Sequence, residues 1–88
     1  MNEHEDILAA VLEAINDVKR TGFTRESVEP GFYLGGDLGV DSREMLEVWY
    51  ELEKRLEVRV EDSEKRDLYT LADVVGILSR KLELRPVS

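Results

Sequence analysis

Apolar positions recur at helical spacing in three stretches of this chain. From about Asp6 to Lys19, Ile7, Leu8, Val11, Leu12, Ile15 and Val18 return every three or four residues and form one face of an α-helix. Glu3, Glu5 and Asp6 sit at its positive N-terminal end, and Lys19 and Arg20 at its negative C-terminal end. Gly22, free to take positive φ, is expected to end it. A second helix is expected from Asp41-Ser42 to about Leu56. Asp41 suits its cap, and Glu44, three residues on, completes a capping box. At about 100° per residue, Met45, Val48, Trp49, Leu52 and Leu56 gather on one stripe, the expected core face. Arg43, Leu46, Glu47, Tyr50 and Lys54 gather roughly opposite. Leu46 and Tyr50 are therefore apolar groups at i, i+4 that the helix does not need for its own core. A last helix is expected from Thr70 to Leu84, with Leu71, Val74, Val75, Leu78 and Leu82 inward. Thr70 and Asp73 form its capping box, Arg80 and Lys81 lie near its C-terminus, and Pro86 follows it.

The segments between these helices differ in kind. Periodicity vanishes from Phe23 to Asp41, and all of the glycines except Gly76 fall between Gly22 and Gly39. This long loop also carries Phe23, Val28, Phe32, Tyr33, Leu34, Leu38 and Val40, more apolar bulk than an exposed loop needs. Part of it is expected to lie across the helices and join the core, and loops of about 20 residues in a compact domain are often functional. Glu57–Val60 alternates but has no strand to pair with, so it reads as an extended connection. Glu61–Asp67 accommodates one short helical turn, capped by Asp62 or Ser63. The predicted fold class is all-α: a small four-helix bundle of three longer helices and one short one, with a long loop between the first two. Residues 1–88 are expected to be a single domain, with Arg85–Ser88 fraying.

Composition narrows the function. Apolar residues make up 42% of the chain, enough for a core despite the high charge. Acidic residues outnumber basic ones 20 to 12, a net charge of −8. Nucleic-acid affinity comes largely from neutralising phosphates with Lys and Arg, so nucleic acid and anionic membranes are poor partners and basic surfaces good ones. No apolar run approaches the ~18 residues of a membrane span, and the acidic start is unlike a signal peptide, so a soluble cytoplasmic protein is expected. The chain has no cysteine and a single histidine, His4, which removes disulfides, thiolate metal sites and His-rich metal sites. No metal site is expected.

The segment Gly36-Asp37-Leu38-Gly39-Val40-Asp41-Ser42 runs straight into a helix start. Ser42 falls in the first turn, where the helix N-terminus favours negative charge, so a phosphate ester there would be stabilised by the free backbone N–H groups. A catalytic serine would need a general base within hydrogen-bond reach. His4 lies at a distant terminus, and the G-x-S-x-G strand–turn–helix of a nucleophile elbow is absent. On its own, an Asp-Ser pair before a helix is most simply a capped helix start.

The surroundings point further. Asp37-Leu38-Gly39-Val40-Asp41-Ser42 resembles the D-L-G-x-D-S signature of acyl carrier proteins and the wider phosphopantetheine carrier family. After Ser42, the apolar positions Leu46, Leu52, Leu56, Val60, Leu68 and Leu71 match the bacterial fatty-acid carriers' spacing without a gap. The resemblance implies that a phosphopantetheinyl transferase, using coenzyme A and Mg²⁺, esterifies Ser42 with 4′-phosphopantetheine. The arm's thiol then holds an acyl or aminoacyl group as a thioester, which accounts for a chain without cysteine. It implies a non-catalytic carrier that presents cargo to partner enzymes of fatty-acid, polyketide or hybrid natural-product biosynthesis. Asp41 would help recruit the transferase and its metal as well as capping the helix. The helix after the serine is the family's recognition helix, whose acids meet basic docking patches on loading and processing enzymes. Here Glu44, Glu47, Glu51 and Glu53 are available, with Leu46 and Tyr50 as the apolar centre and Arg43 and Lys54 at the edges. Such docking is weak, salt-sensitive and fast. A monomer is expected.

This sequence departs from the family pattern at three places. Arg43 stands where an apolar residue usually follows the serine, Lys54 where an acid is common, and Glu61 where fatty-acid carriers usually have proline. These departures suggest a specialised carrier for a dedicated assembly line. A peptidyl, aminoacyl or D-alanyl-type carrier and an unmodified acidic adaptor are the alternatives. Trp49 is expected in the core and Leu34 packs inward. Phe32 and Tyr33 are core or lid residues, and Tyr69 is a residue for ordinary packing or for the arm's rim.

Overall fold

A computed structural model describes residues 3–84, and the side chains of residues 6–83. The expected frayed tail Arg85–Ser88, the breaker Pro86 and the side chains of Glu3, His4 and Glu5 lie outside those bounds. Three α-helices follow one another: α1 (Glu3–Lys19), α2 (Ser42–Leu56) and α3 (Leu71–Leu84). The expected fourth helix is a single 3₁₀ turn, Asp62–Lys65. None of its residues is buried, so it has no apolar face to drive a longer helix. Its cap is Glu61 rather than Asp62 or Ser63, with the Glu61 N–H donating to Glu64 Oε2 at 2.9 Å. The described chain is thus all-helical, with three helices and a turn.

α1 packs against both α2 and α3. Ile7, Val11, Leu12, Ala14 and Ile15 from α1 meet Val48, Trp49 and Leu52 from α2 and Leu71, Val74, Val75 and Leu78 from α3 in one buried cluster. All but Ala14 are inward positions expected from the periodicity, whereas the expected Leu8, Val18, Met45, Leu56 and Leu82 are half-buried at the edge of the cluster; each large aliphatic side chain taken from water contributes about 1.5–3 kcal/mol. Trp49 is 4% exposed, with Lys65 Nζ 5.5 Å from its ring centroid.

The end of α1 corrects the role expected of Gly22. Arg20, at φ 59°, takes the left-handed position, and the Thr21 N–H donates to the Asn16 carbonyl at 3.1 Å. That is a Schellman closure one turn back. α2 ends the same way, on Glu57 at φ 54°, with the Val58 N–H donating to the Glu53 carbonyl. Both helices therefore close on residues that carry side chains. Glu57–Val60 is the expected extended connection, and it buries Val60.

The long loop is held at both ends. The Asn16 side chain donates to the Phe23 carbonyl and accepts from the Phe23 N–H, both at 2.9 Å. Further on, the loop crosses the start of α3. The Leu71 N–H donates to the Phe32 carbonyl at 3.0 Å and the Ala72 N–H to the Pro30 carbonyl at 2.9 Å. Helix-start donors that lack intrahelical partners are thereby satisfied. Tyr33 and Thr70 form an isolated antiparallel bridge, and the Leu34 N–H donates to the Tyr69 carbonyl. Val28, Leu34, Leu38 and Val40 are buried, and Phe23 and Phe32 half-buried, so the loop does contribute to the core.

Candidate functional site at the loop to helix junction

The last part of the loop is a tight, internally bonded turn. Asp37 Oδ2 accepts from the Tyr33 N–H at 2.7 Å, and the Asp37 N–H returns to the Tyr33 carbonyl at 3.0 Å. The Val40 N–H donates to the Leu34 carbonyl at 2.8 Å and the Gly39 N–H to the Gly35 carbonyl at 3.1 Å. Buried Leu34, Leu38 and Val40 anchor this turn from below. Gly39 stands at φ 70°, a conformation that a side chain disfavours. A Cβ built there would also lie 3.9 Å from Lys19 Cε and Nζ.

Lys19 therefore crosses Gly39 on its way from α1 to α2. Its Nζ reaches both carboxylate oxygens of Glu44, at 3.1 and 3.2 Å. Glu44 in turn closes the capping box. Glu44 Oε1 accepts from the Asp41 N–H at 3.1 Å, and Asp41 Oδ1 accepts from the Glu44 N–H at 2.8 Å. Asp41 and Glu44 form this box as their spacing predicts. Lys19 is an addition that spacing does not reveal, because its partner is 25 residues away.

Between these clamped residues stands Ser42, the exposed first residue of α2. The capping load falls on Asp41, so the serine hydroxyl is not consumed in starting the helix. Among the described residues the N–H groups of Ser42 and Arg43 have no partner. A phosphate ester on Ser42 Oγ fits that setting. It meets open solvent, unpaired N–H donors and the positive end of the helix dipole. No group of three or more His, Cys, Asp or Glu side chains is placed to hold a metal ion among the described residues.

The outer stripe of α2 is exposed as its spacing predicts. Arg43, Glu47 and Lys54 face solvent, and Leu46 and Tyr50 are 69% and 65% exposed. An open groove beside them is lined by Asp17, Val18 and Arg20 of the α1 end and by Leu46, Glu47, Tyr50 and Glu51 of α2. The other acids of α2 are engaged within the fold. Arg55 binds Glu51 at 3.2 Å, pairs with Asp17, and has Glu13 at 3.9 Å. Glu53 binds Lys65 at 3.0 Å and also accepts from the Val60 N–H. Arg55 and Lys65 are contributors that the α2 pattern alone does not expose.

Two exposed tyrosines lie on the paired backbone segments beside the turn. Tyr33 is 58% and Tyr69 59% exposed, so neither packs in the core. The Tyr69 hydroxyl donates to Asp67 Oδ1 at 3.1 Å, and that carboxylate pushes the phenol's pKa up.

No protein-family model matches the chain. Individual proteins do. The acyl carrier protein of Arthrobacter sp. (strain FB24) is 33% identical over 79 residues, covering 90% of this chain and 95% of that protein. The acyl carrier protein of Acidothermus cellulolyticus is 36% identical over 75 residues, 85% of this chain and 87% of that protein. The meromycolate extension acyl carrier protein of Mycobacterium bovis is 30% identical over 82 residues, 93% of this chain and 70% of that protein. With likeness of this extent over an all-helical fold and a serine bared at the head of α2, the chain belongs to the acyl carrier protein family.

Proposed function

We propose that residues 1–88 act as one carrier domain, with Ser42 as the attachment point for 4′-phosphopantetheine. The observation that carries this reading is the exposed Ser42 at the head of a helix already capped by Asp41, directly after Asp37-Leu38-Gly39-Val40. The bound arm supplies a thiol that holds an acyl or aminoacyl group as a thioester. The chain's own residues do the positioning. Asp37 and Gly39 shape the turn, Asp41 and Glu44 fix the helix start, and Lys19 ties both to α1. The unpaired N–H groups and the dipole of α2 favour the phosphate's charge.

The protein performs no bond chemistry of its own and serves enzymes in trans. It receives the arm from a phosphopantetheinyl transferase, with Asp41 presented at the approach to Ser42. It then presents acyl groups to enzymes of fatty-acid or related biosynthesis that dock on the outer stripe of α2. Arg43, Lys54 and Glu61 fit a carrier with dedicated partners. It works as a monomer in the cytoplasm, and no helix among the described residues is long and apolar enough to cross a membrane.

The absence of cysteine gives a direct test. Incubation with coenzyme A, Mg²⁺ and a broad-specificity phosphopantetheinyl transferase should create one titratable thiol on a chain that begins with none. A folded chain that gains no thiol with several transferases would be an unmodified adaptor instead.

A further inference from the structure

The carboxylate that closes the capping box of α2 is itself held. Glu44 must bend its side chain back to accept the Asp41 N–H, and a free glutamate loses rotamer freedom in keeping that shape. Lys19 Nζ bonds both of its oxygens, at 3.1 and 3.2 Å. An ammonium shared between the two oxygens fixes the direction in which the carboxylate faces, and charge-assisted bonds are the stronger kind. Both side chains are mostly covered, 18% and 27% exposed, so salt screens them less than an open surface pair.

The consequence falls on Asp41. Its N–H goes to Glu44, its side chain accepts the Glu44 N–H at 2.8 Å, and its carbonyl accepts the Met45 N–H at 2.8 Å. Both polar groups of its backbone are thus engaged, and the next residue in the chain is Ser42. On the other flank the Lys19 stem passes over Gly39, with Cε and Nζ 3.9 Å from where a Cβ would stand. One side chain from the end of α1 therefore bears on the turn before Asp41 and on the cap after it.

The structure assigns Lys19 as a positioning residue for the esterification of Ser42: through Glu44 and Asp41 it holds the serine hydroxyl where the incoming phosphorus must meet it. This rests on the carrier reading. In that reaction Ser42 Oγ bonds to the phosphorus that carries the pantetheine of coenzyme A, and the pyrophosphate P–O bond breaks. Adenosine bisphosphate leaves, and the hydroxyl proton passes to a base of the transferase. An in-line displacement depends on how Oγ is aligned with that phosphorus, and a misplacement of about 1 Å can slow a reaction by about a hundredfold. Lys19 is bonded to Glu44 and mostly covered, so it holds the cap and does not touch the reacting groups. Its loss should slow the docked chain and leave docking nearly unchanged.

The test measures transfer of the arm from coenzyme A by a broad-specificity phosphopantetheinyl transferase, with the carrier chain varied in concentration to separate kcat from KM. Lys19→Met keeps the stem over Gly39 and removes the charge. It should lower kcat by about tenfold, with KM within about twofold of the native chain's. Lys19→Arg should recover most of the rate. Glu44→Gln keeps an oxygen for the Asp41 N–H but loses the ion pair, so it should lose a similar part of kcat. Adding Lys19→Met to it should then cost little more. In the unmodified chain, hydrogen exchange at the Asp41 N–H should quicken in Lys19→Met. Ile7→Val, in the core about three turns from Lys19, controls for lost stability: its melting temperature should fall while its kcat holds. An undiminished kcat for Lys19→Met, no recovery with arginine, a full further loss in the Glu44→Gln background, or a loss confined to KM would overturn this role. So would unchanged exchange at Asp41 or an equal loss of kcat in Ile7→Val. A native chain that gains no arm would overturn the carrier reading and this role with it, whereas native and Lys19→Met chains esterified equally fast would overturn this role alone.

Discussion

Gly39 is where a single atom matters most to the site. Its φ of 70° is one that glycine adopts freely and other residues adopt at a cost of roughly 1–2 kcal/mol. The nearest atoms to an added Cβ are those of Lys19 at 3.9 Å, an ordinary contact, so backbone conformation and not crowding sets the penalty. Gly39→Ala should therefore lower the unfolding free energy by about 1 kcal/mol in urea denaturation, and an unchanged midpoint would contradict this account of the turn. Gly22 shows the opposite lesson. Its position after α1 suggested the helix-ending residue, but Arg20 takes the left-handed place, two residues earlier. A Schellman closure is set by which carbonyl the chain can return to, and here Asn16 also binds Phe23 through its side chain. That tertiary tie is invisible in a pattern of apolar positions. Asp41 and Glu44 were legible because both halves of a capping box lie within one turn. Lys19 was not, because its bond to Glu44 joins two helices.

Among the elements, α3 illustrates how a helix start is coupled to pH. The Asp73 carboxylate accepts the N–H groups of Tyr69, at 2.9 Å, and Thr70, at 3.0 Å. The Tyr69 and then the Thr70 bond hold its carboxyl below the ordinary aspartate pKa, outweighing the slight burial that opposes them. A carboxyl lowered in the folded state binds protons more readily when unfolded. Its contribution is therefore fully present above the ordinary value of about 4 and is lost as pH falls through the folded value. Asp73→Asn should lower the melting temperature at neutral pH, and its deficit should shrink as pH is lowered past about 4. A deficit that stays constant into acid would show that the charge plays no part. α2 and α3 were readable because each pairs an apolar stripe with a start signal, Asp41 for α2 and Thr70 with Asp73 for α3, while α1 was readable from its stripe. The fourth is the single short turn that its sequence suggests. Asp62–Lys65 supplies helix-compatible residues but buries none of them, and a start without an apolar face stops after one turn.

At the scale of the whole molecule, a surplus of acid is held together by a few ties between helices. Arg55 draws Glu13 and Asp17 of α1 to α2, and Lys81 of α3 binds Glu64 of the 3₁₀ turn at 2.6 Å. These attractions leave the net charge at −8, and that surplus repels itself at neutral pH. Raising ionic strength past about 0.15 M, where the Debye length is about 8 Å, should raise the melting temperature; a temperature that falls would mean the pairs outweigh the repulsion. The same charge distribution separates what composition could and could not reveal. It made nucleic acid a poor expected partner, but it did not show that Glu44, Glu51 and Glu53 have ion-pair partners within the fold. The central claim concerns Ser42, and intact mass tests it most directly. The native chain, incubated with coenzyme A, Mg²⁺ and a broad-specificity phosphopantetheinyl transferase, should gain one phosphopantetheine, and an equally folded Ser42→Ala chain should gain none. A native chain of unchanged mass, or the same gain in both chains, would contradict the assignment of Ser42.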